Sequence, residues 1–325
     1  MLDYTWNVSI IVSIMGKKQR HHFIPRFYLE GFVDPHNKPY VWTYEKGNID
    51  IIKASPADIA VQKHYYSFTT EEGSKDSESF EDLFATIESN VAPLVSKLEQ
   101  QKGLGEDEKK LFSYFLAFMM TRVPNFRNDI EESNSDVVKR IAMWMAGDSK
   151  CFEAMIENYE KDTGEDIGIP INELREFVLD DSRYSIKTNP EFSLFIILEL
   201  SKSFARVFYK MNWLFLMATD ENKFLTSDNP LYYFDPTYDP KSPFGVGLIN
   251  KNIQVTIPIS NRLAILAGWN FKKDNYFKAN GLLVRGINKR TIISALRYVY
   301  ASEKSDTLNK LVQKYENSAP RTVID

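Results

Sequence analysis

The sequence has a single cysteine, Cys151, and four histidines. One thiol excludes an intramolecular disulfide and any zinc cluster built on cysteine pairs, and it suits a reducing cytoplasm. No two histidines stand at His-x-x-x-His spacing, which removes the common helical metal pair. A Gly-x-x-x-x-Gly-Lys-Ser/Thr phosphate loop, a Gly-x-Gly-x-x-Gly fingerprint and a Gly-x-Ser-x-Gly elbow are all missing. Gly245-Val246-Gly247 is too short to mean more than a turn. Long apolar runs are missing as well: Asn7–Met15 is too short to span a bilayer, so no membrane role is expected. That stretch has no basic region before it and no Ala-x-Ala-like cleavage site after it. The net charge of −4 argues against a basic nucleic-acid coat, while leaving room for a local basic groove.

The sequence is rich in aromatic side chains, with 22 phenylalanines and 17 tyrosines, enough for a thick aromatic core. Its 325 residues would make one large domain or two ordinary ones. Met15 opens Met-Gly-Lys-Lys-Gln-Arg and reads as the natural start, with residues 1–16 as an extension. The alternative is an edge strand, since Val8, Ile10, Val12 and Ile14 alternate with polar residues.

Tyr40–Tyr44 and Ile49–Lys53 read as strands joined by Glu45-Lys46-Gly47-Asn48. Ser55 reads as a helix N-cap, His64–Phe68 as a further strand, and Thr69–Ser77 as a boundary loop. From Phe80 to Lys210 the apolar spacing is helical, with Leu111–Val123 apolar almost all round, as a central helix would be. Asn189 and Pro190 read as the cap and first turn of the last helix of this run. Trp213–Met217, Phe224–Thr226, Leu231–Phe234, Ile253–Ile257 and Leu263–Ala267 read as short strands. Asn288 reads as the N-cap of a helix through Val299 and Tyr300, and a last helix is expected near Ser305–Tyr315.

The pattern predicts an α+β fold: a mostly antiparallel sheet built from N- and C-terminal segments, with a large inserted helical lobe. The expected segments are the extension at 1–16, an N-terminal signature segment with strands at 17–70 and the helical lobe at 71–210. A C-terminal sheet and helix follow at 211–304, and a final helix and tail at 305–325.

Two stretches could carry chemistry. The first is His21–Phe32, where His22, Arg26 and Tyr28 ride on a segment that wants to be buried, an expensive arrangement unless each polar group is paired. Adjacent histidines point to different faces, and His22, fixed by Pro25 and the helix after it, is the better candidate. The second is Thr226-Ser227-Asp228-Asn229-Pro230, a strand running into a polar turn that presents several side chains to one point; it is also an ordinary turn sequence. Arg122 shares a face with Phe118 and Met119 and needs a carboxylate, for which Asp228 is a sensible partner. Tyr65 and Tyr66 could stack on a base or ring, though an aromatic core needs no such role.

These residues carry a resemblance. His22-Phe23-Ile24-Pro25-Arg26-Phe27-Tyr28-Leu29, with Phe32 after it, resembles the opening His-x-x-Pro-x-x-Tyr-Leu-x-x-Phe of a bacterial family, domain of unknown function 4238. Thr226–Pro230 is similar to its second signature, Arg122 with Pro124 to its Arg-x-Pro, and Asn288 followed by Arg297–Ala301 to its closing segment. The similarity runs from about Lys17 to Ser302. The resemblance implies that His22, Arg26, Tyr28, Arg122, Asp228 and Asn229 share a site; it implies no activity.

Three functions compete. In an enzyme acting on a phosphate-containing substrate, of nuclease-like or phosphoesterase type, Arg26 and Arg122 would hold phosphate and His22 would be general acid or base. Asp228 would orient His22 or bind a divalent metal, and Tyr28, Ser227 and Asn229 would contact substrate. A lone carboxylate is few for a magnesium site, and no lysine cluster marks a nucleic-acid track. The second function is a non-catalytic ligand- or partner-binding module, and the third a structural interlock of the two signatures. In each case His22 and Asp228 are expected within direct or one-water reach, with the His22 pKa raised by the carboxylate.

Overall fold

The computed structural model describes residues 20–69, 75–76, 78–186, 190–239, 241 and 245–318. The segment 1–16, the cap at Asn189 and most of the 69–77 loop lie outside the described residues.

The first described elements are a short strand, β1 (Arg20–His22), and a helical turn, α1 (Arg26–Glu30). Pro25 precedes the turn with φ −57°, already in the helical range. At its end, a Cβ on Gly31 would lie 3.1 Å from the Cβ of Ser260, a tight contact in which the Ile259–Ser260 turn would have to give by a few tenths of an ångström. The hairpin β2 (Val41–Glu45) and β3 (Ile51–Ala54) follows, then β4 (Val61–Lys63), which pairs antiparallel with β1 and sets His22 opposite Val61. Ser55 caps no helix: its hydroxyl accepts from the Ala57 N–H within a turn. The 64–68 strand is also absent, because His64 takes φ +56° and turns the chain. Strand structure resumes only at β5 (Phe68–Thr69), paired with β6 (Lys75–Asp76).

Helices fill the middle of the chain: α2 (Ser79–Glu99), α3 (Glu106–Thr121), α4 (Pro124–Gly147), α5 (Ser149–Thr163), α6 (Ile171–Leu179) and α7 (Pro190–Lys210). The break between α3 and α4 is chemical: Val123 is extended before Pro124, which then starts α4 at a position needing no N–H partner. No described helix is long and apolar enough to cross a membrane.

The last part alternates strands and helices: β7 (Asn212–Met217), β8 (Thr226–Ser227), β9 (Tyr232–Phe234), β10 (Gln254–Pro258), β11 (Leu263–Gly268), β12 (Asn275–Lys278), α8 (Gly281–Ser294), β13 (Tyr298–Ala301) and α9 (Asp306–Lys314). Asn280, not Asn288, caps α8 by accepting from Leu283 N–H. Asn288 lies inside the helix and bridges backbone, accepting from Leu225 N–H and donating to the Lys223 carbonyl. Val299 and Tyr300 form a strand rather than a helix. They are β-branched and aromatic, suited to a pleated surface, and β2 and β8 pair on either side.

The architecture is α+β, with the strands in mostly antiparallel sheets. Instead of one sheet there are two large ones. A five-stranded sheet runs β12-β7-β11-β10-β9, with β12 parallel to β7. A four-stranded sheet runs β3-β2-β13-β8 and joins N-terminal to C-terminal strands. The main core lies between α1, α3, α7 and the five-stranded sheet, where Tyr28, Phe32, Phe112, Phe115, Trp213 and Phe215 are all buried.

The Tyr28 hydroxyl donates to the Pro258 carbonyl at 2.7 Å and bonds Thr226 Oγ1 at 2.7 Å inside this core. Tyr28→Phe should therefore lower unfolding free energy by about 1–3 kcal/mol, since it strands two buried partners. Urea titration checks this; a change within about 0.5 kcal/mol would mean that the hydroxyl is not needed there.

Candidate functional site

The two sequence signatures touch at the Tyr28–Thr226 bond, but His22 and Asp228 end in different surroundings. Asp228 follows β8 and is 4% exposed. Its Oδ1 accepts from Leu296 N–H at 2.8 Å, and its Oδ2 from Arg297 and Tyr298 N–H at 2.8 and 2.9 Å. Burial pushes this carboxyl up to about 6, against the three N–H donors and the Lys46 ammonium, which favour its charged form. Asn229 Nδ2 donates to the Ser294 carbonyl, and Ser227 Oγ accepts from Asn229 N–H. The second signature thus ties the end of α8 to the start of β13. Arg26 lies on the surface in an ion pair with Glu30 one turn on.

His22 does not meet Asp228. The charges acting on its ring are Glu88, Arg122 and Arg20, while the nearby charge acting on Asp228 is Lys46. The expected pairing fails because β1 is held by β4 in front of α2 and α3, whereas Asp228 is committed to the backbone of 296–298. Burial is the main cause holding the His22 pKa below its ordinary 6.5, the opposite of the expected shift.

The residues that do gather around His22 come from four segments. Arg122 is the C-cap of α3 and is 2% exposed. Its Nη1 donates to Glu88 Oε1 on α2 at 2.7 Å, and its guanidinium lies 5.2 Å from the Phe84 ring centroid. Its Nε and Nη2 are buried without a hydrogen-bond partner among the described residues, as are His22 Nε2 and the Tyr65 hydroxyl. The expected carboxylate partner of Arg122 is therefore Glu88, not Asp228.

Neighbouring groups hold these four in place. Burial lowers the His22 pKa, and the nearby Pro56 carbonyl acts in the opposite sense. Tyr66 donates its backbone N–H to His21 Nδ1 at 2.9 Å and its hydroxyl to the His22 carbonyl at 3.3 Å. The His21 and Tyr66 rings stack at 5.5 Å, so His21 is buried structure while His22 is half-exposed. Arg127 donates to the Tyr65 carbonyl, lies 4.9 Å over its ring and pairs with Glu131 at 3.0 Å. Burial pushes the Tyr65 phenol well up, so it stays a donor.

Sequence reasoning passed over Glu88 and weighed Tyr65 only as a stacking ring. Glu88 had one signal: it lies one turn from both Phe84 and Val91, which are core residues of α2. Among the described residues no group of three or more His, Cys, Asp or Glu side chains could hold a metal ion.

Two outcomes follow. In NMR titration His22 should show a midpoint below 6.5. Its folded value is the lower one, so the stabilisation from this neutral ring is complete above pH 6.5 and is lost as pH falls through the folded value. A midpoint above 6.5 would contradict the burial argument. Asp228→Asn should cost about 1–3 kcal/mol at neutral pH, because the new NH₂ must face at least one amide donor. An unchanged urea midpoint would contradict that geometry.

No curated protein and no solved structure matches this chain. A family model described as "Protein of unknown function (DUF4238)" matches residues 20–305, a span that includes His22, Glu88, Arg122 and both signatures. The chain belongs to that family.

Proposed function

We propose that the protein is an enzyme acting on a phosphate-containing substrate at the cluster of His22, Tyr65, Glu88 and Arg122. The observation that carries this reading is the buried Arg122 side chain. Glu88 occupies Nη1, which leaves the Nε–Nη2 edge of the guanidinium without a partner. That edge is a planar pair of donors, the shape that takes two oxygens of a phosphate or carboxylate at once. Burying such an edge unpaired is costly, and a ligand removes the cost.

The neighbouring groups support turnover rather than mere binding. His22, whose pKa burial holds below 6.5 and whose Nε2 has no hydrogen-bond partner among the described residues, would serve as the general base. It would take a proton from water as the water oxygen bonds phosphorus and the ester P–O bond breaks. The protonated ring would then return that proton to the leaving oxygen. Tyr65 would donate its O–H to a phosphoryl oxygen, and Glu88, 24% exposed at its side chain, would stand at the solvent side.

A second reading applies to Tyr28, Thr226, Ser227, Asp228 and Asn229: they serve as an interlock between distant segments. It is supported by the Tyr28–Thr226 bond and by the three backbone bonds to Asp228.

The test is hydrolysis of para-nitrophenyl phosphate and bis(para-nitrophenyl) phosphate. At least one should be turned over. His22→Gln should lower kcat by roughly 10²–10⁴-fold, and Arg122→Lys should mainly raise KM, since lysine cannot offer a paired edge. Activity that survives His22→Gln unchanged in a folded variant would sink the catalytic assignment.

A further inference from the structure

A cleft of about 580 Å³ opens where the last turn of α2 meets the ends of β7 and β12, and it shares no residue with the His22 cluster. Its volume is that of a small-ligand site. The sheet builds the apolar side. β12 runs parallel to β7 and sets Lys278 opposite Met217, while the Tyr276 ring stacks on Phe215 at 4.7 Å. Met217, Ala218, Tyr276 and Phe277 line this side, and Phe277 is 47% exposed. The end of α2 brings polar groups. The Gln101 N–H donates to the Leu98 carbonyl and the Lys102 N–H to the Lys97 carbonyl, which closes the helix with Gln101 at φ +58°. Glycine is the usual residue at such a position. Here the chain keeps an amide side chain that lines the cleft.

Charges of both signs line the same cleft. Glu99, the last residue of α2, accepts from Ser260 Oγ through Oε1 at 2.5 Å, and that hydroxyl accepts from the Arg262 N–H at 3.2 Å. Glu99 is thereby tied to the turn that carries Arg262. The Arg262 side chain pairs with Asp220 at 3.0 Å, both side chains being more than half exposed, so the pair is weak. Lys278 has no ion-pair partner among the described residues. We propose that this cleft binds a zwitterionic amino acid with an apolar side chain. Arg262 and Lys278 take its carboxylate. Glu99, at the negative end of the α2 dipole, takes its ammonium. Met217, Tyr276 and Phe277 cover its side chain, and Gln101 can donate to the carboxylate or accept from the ammonium. A simple anion would be set against Glu99, and a simple cation against Arg262 and Lys278. A ligand carrying both charges on one small frame uses both sets.

The experiment is calorimetric titration of the full-length protein with L-leucine and with two analogues that each lack one charge, isocaproate and isoamylamine. Leucine should bind in the millimolar range or tighter. Each analogue should bind at least about tenfold more weakly, the loss of one charge-assisted contact. Glu99→Gln should weaken leucine by a similar factor and leave isocaproate binding no weaker. Lys278→Met should weaken leucine and leave isoamylamine binding no weaker. Isocaproate matching leucine would overturn the zwitterion in favour of an anion site, and isoamylamine matching it would do so in favour of a cation site. Leucine binding that is unchanged in both variants, or no binding of any of the three compounds, would remove the site altogether. If Glu99→Gln does not fold, Lys278→Met, at an exposed position, decides together with the three ligands on the wild-type protein.

Discussion

The Tyr28 hydroxyl joins three parts of the chain that are far apart in sequence, bonding Thr226 across 198 positions and Pro258 across 230. A phenol that is fully buried must find partners, and it finds one on β8 of the four-stranded sheet and one at the end of β10 of the five-stranded sheet. The single turn of α1 is thereby wedged where the two sheets approach each other. Gly31 lets the backbone lie close to Ser260, and the Asn261 N–H donates back to the Gly31 carbonyl. With α1 held there, β1 is carried against β4, and His22 comes within electrostatic reach of Glu88 and Arg122.

The His22 cluster and the Asp228 turn show how differently two buried polar groups can be used. At Asp228 every oxygen has its donor, and the carboxylate organises backbone that would otherwise leave N–H groups unpaired between α8 and β13. At Arg122 a buried guanidinium has a carboxylate on one nitrogen and, among the described residues, no partner on the other two. The first arrangement is complete within the protein. The second is not completed by the described residues, and it acts electrostatically on a ring whose Nε2 has no partner among them. That contrast, more than the identity of any residue, is what supports the proposed site at His22 and Arg122.

Much of the fold was legible from local pattern. The helical run after Phe80, the break at Arg122-Val123-Pro124 and the strands around Trp213 and Leu263 follow from apolar spacing and from proline geometry, both properties of a few neighbouring residues. The elements that were missed depend on partners. Val299 and Tyr300 are a strand because β2 and β8 flank them, and His64 turns the chain in a stretch whose composition looks extended. The split into two sheets was invisible for the same reason, since strand partners are long-range choices.

For the site, sequence alone determined that His22, Arg26, Tyr28, Arg122, Asp228 and Asn229 were the polar residues worth asking about, because polar side chains on buried segments must be paired. It could not say with what. Tertiary structure assigned the partners: Glu88 to Arg122, Thr226 and Pro258 to Tyr28, and the backbone of 296–298 to Asp228. It also left Arg26 outside, paired with Glu30 on the surface. The physical reason is that pairing energy falls off within a few ångströms, and distances of that order between residues on separate elements are set by packing, on which the local order of residues is silent.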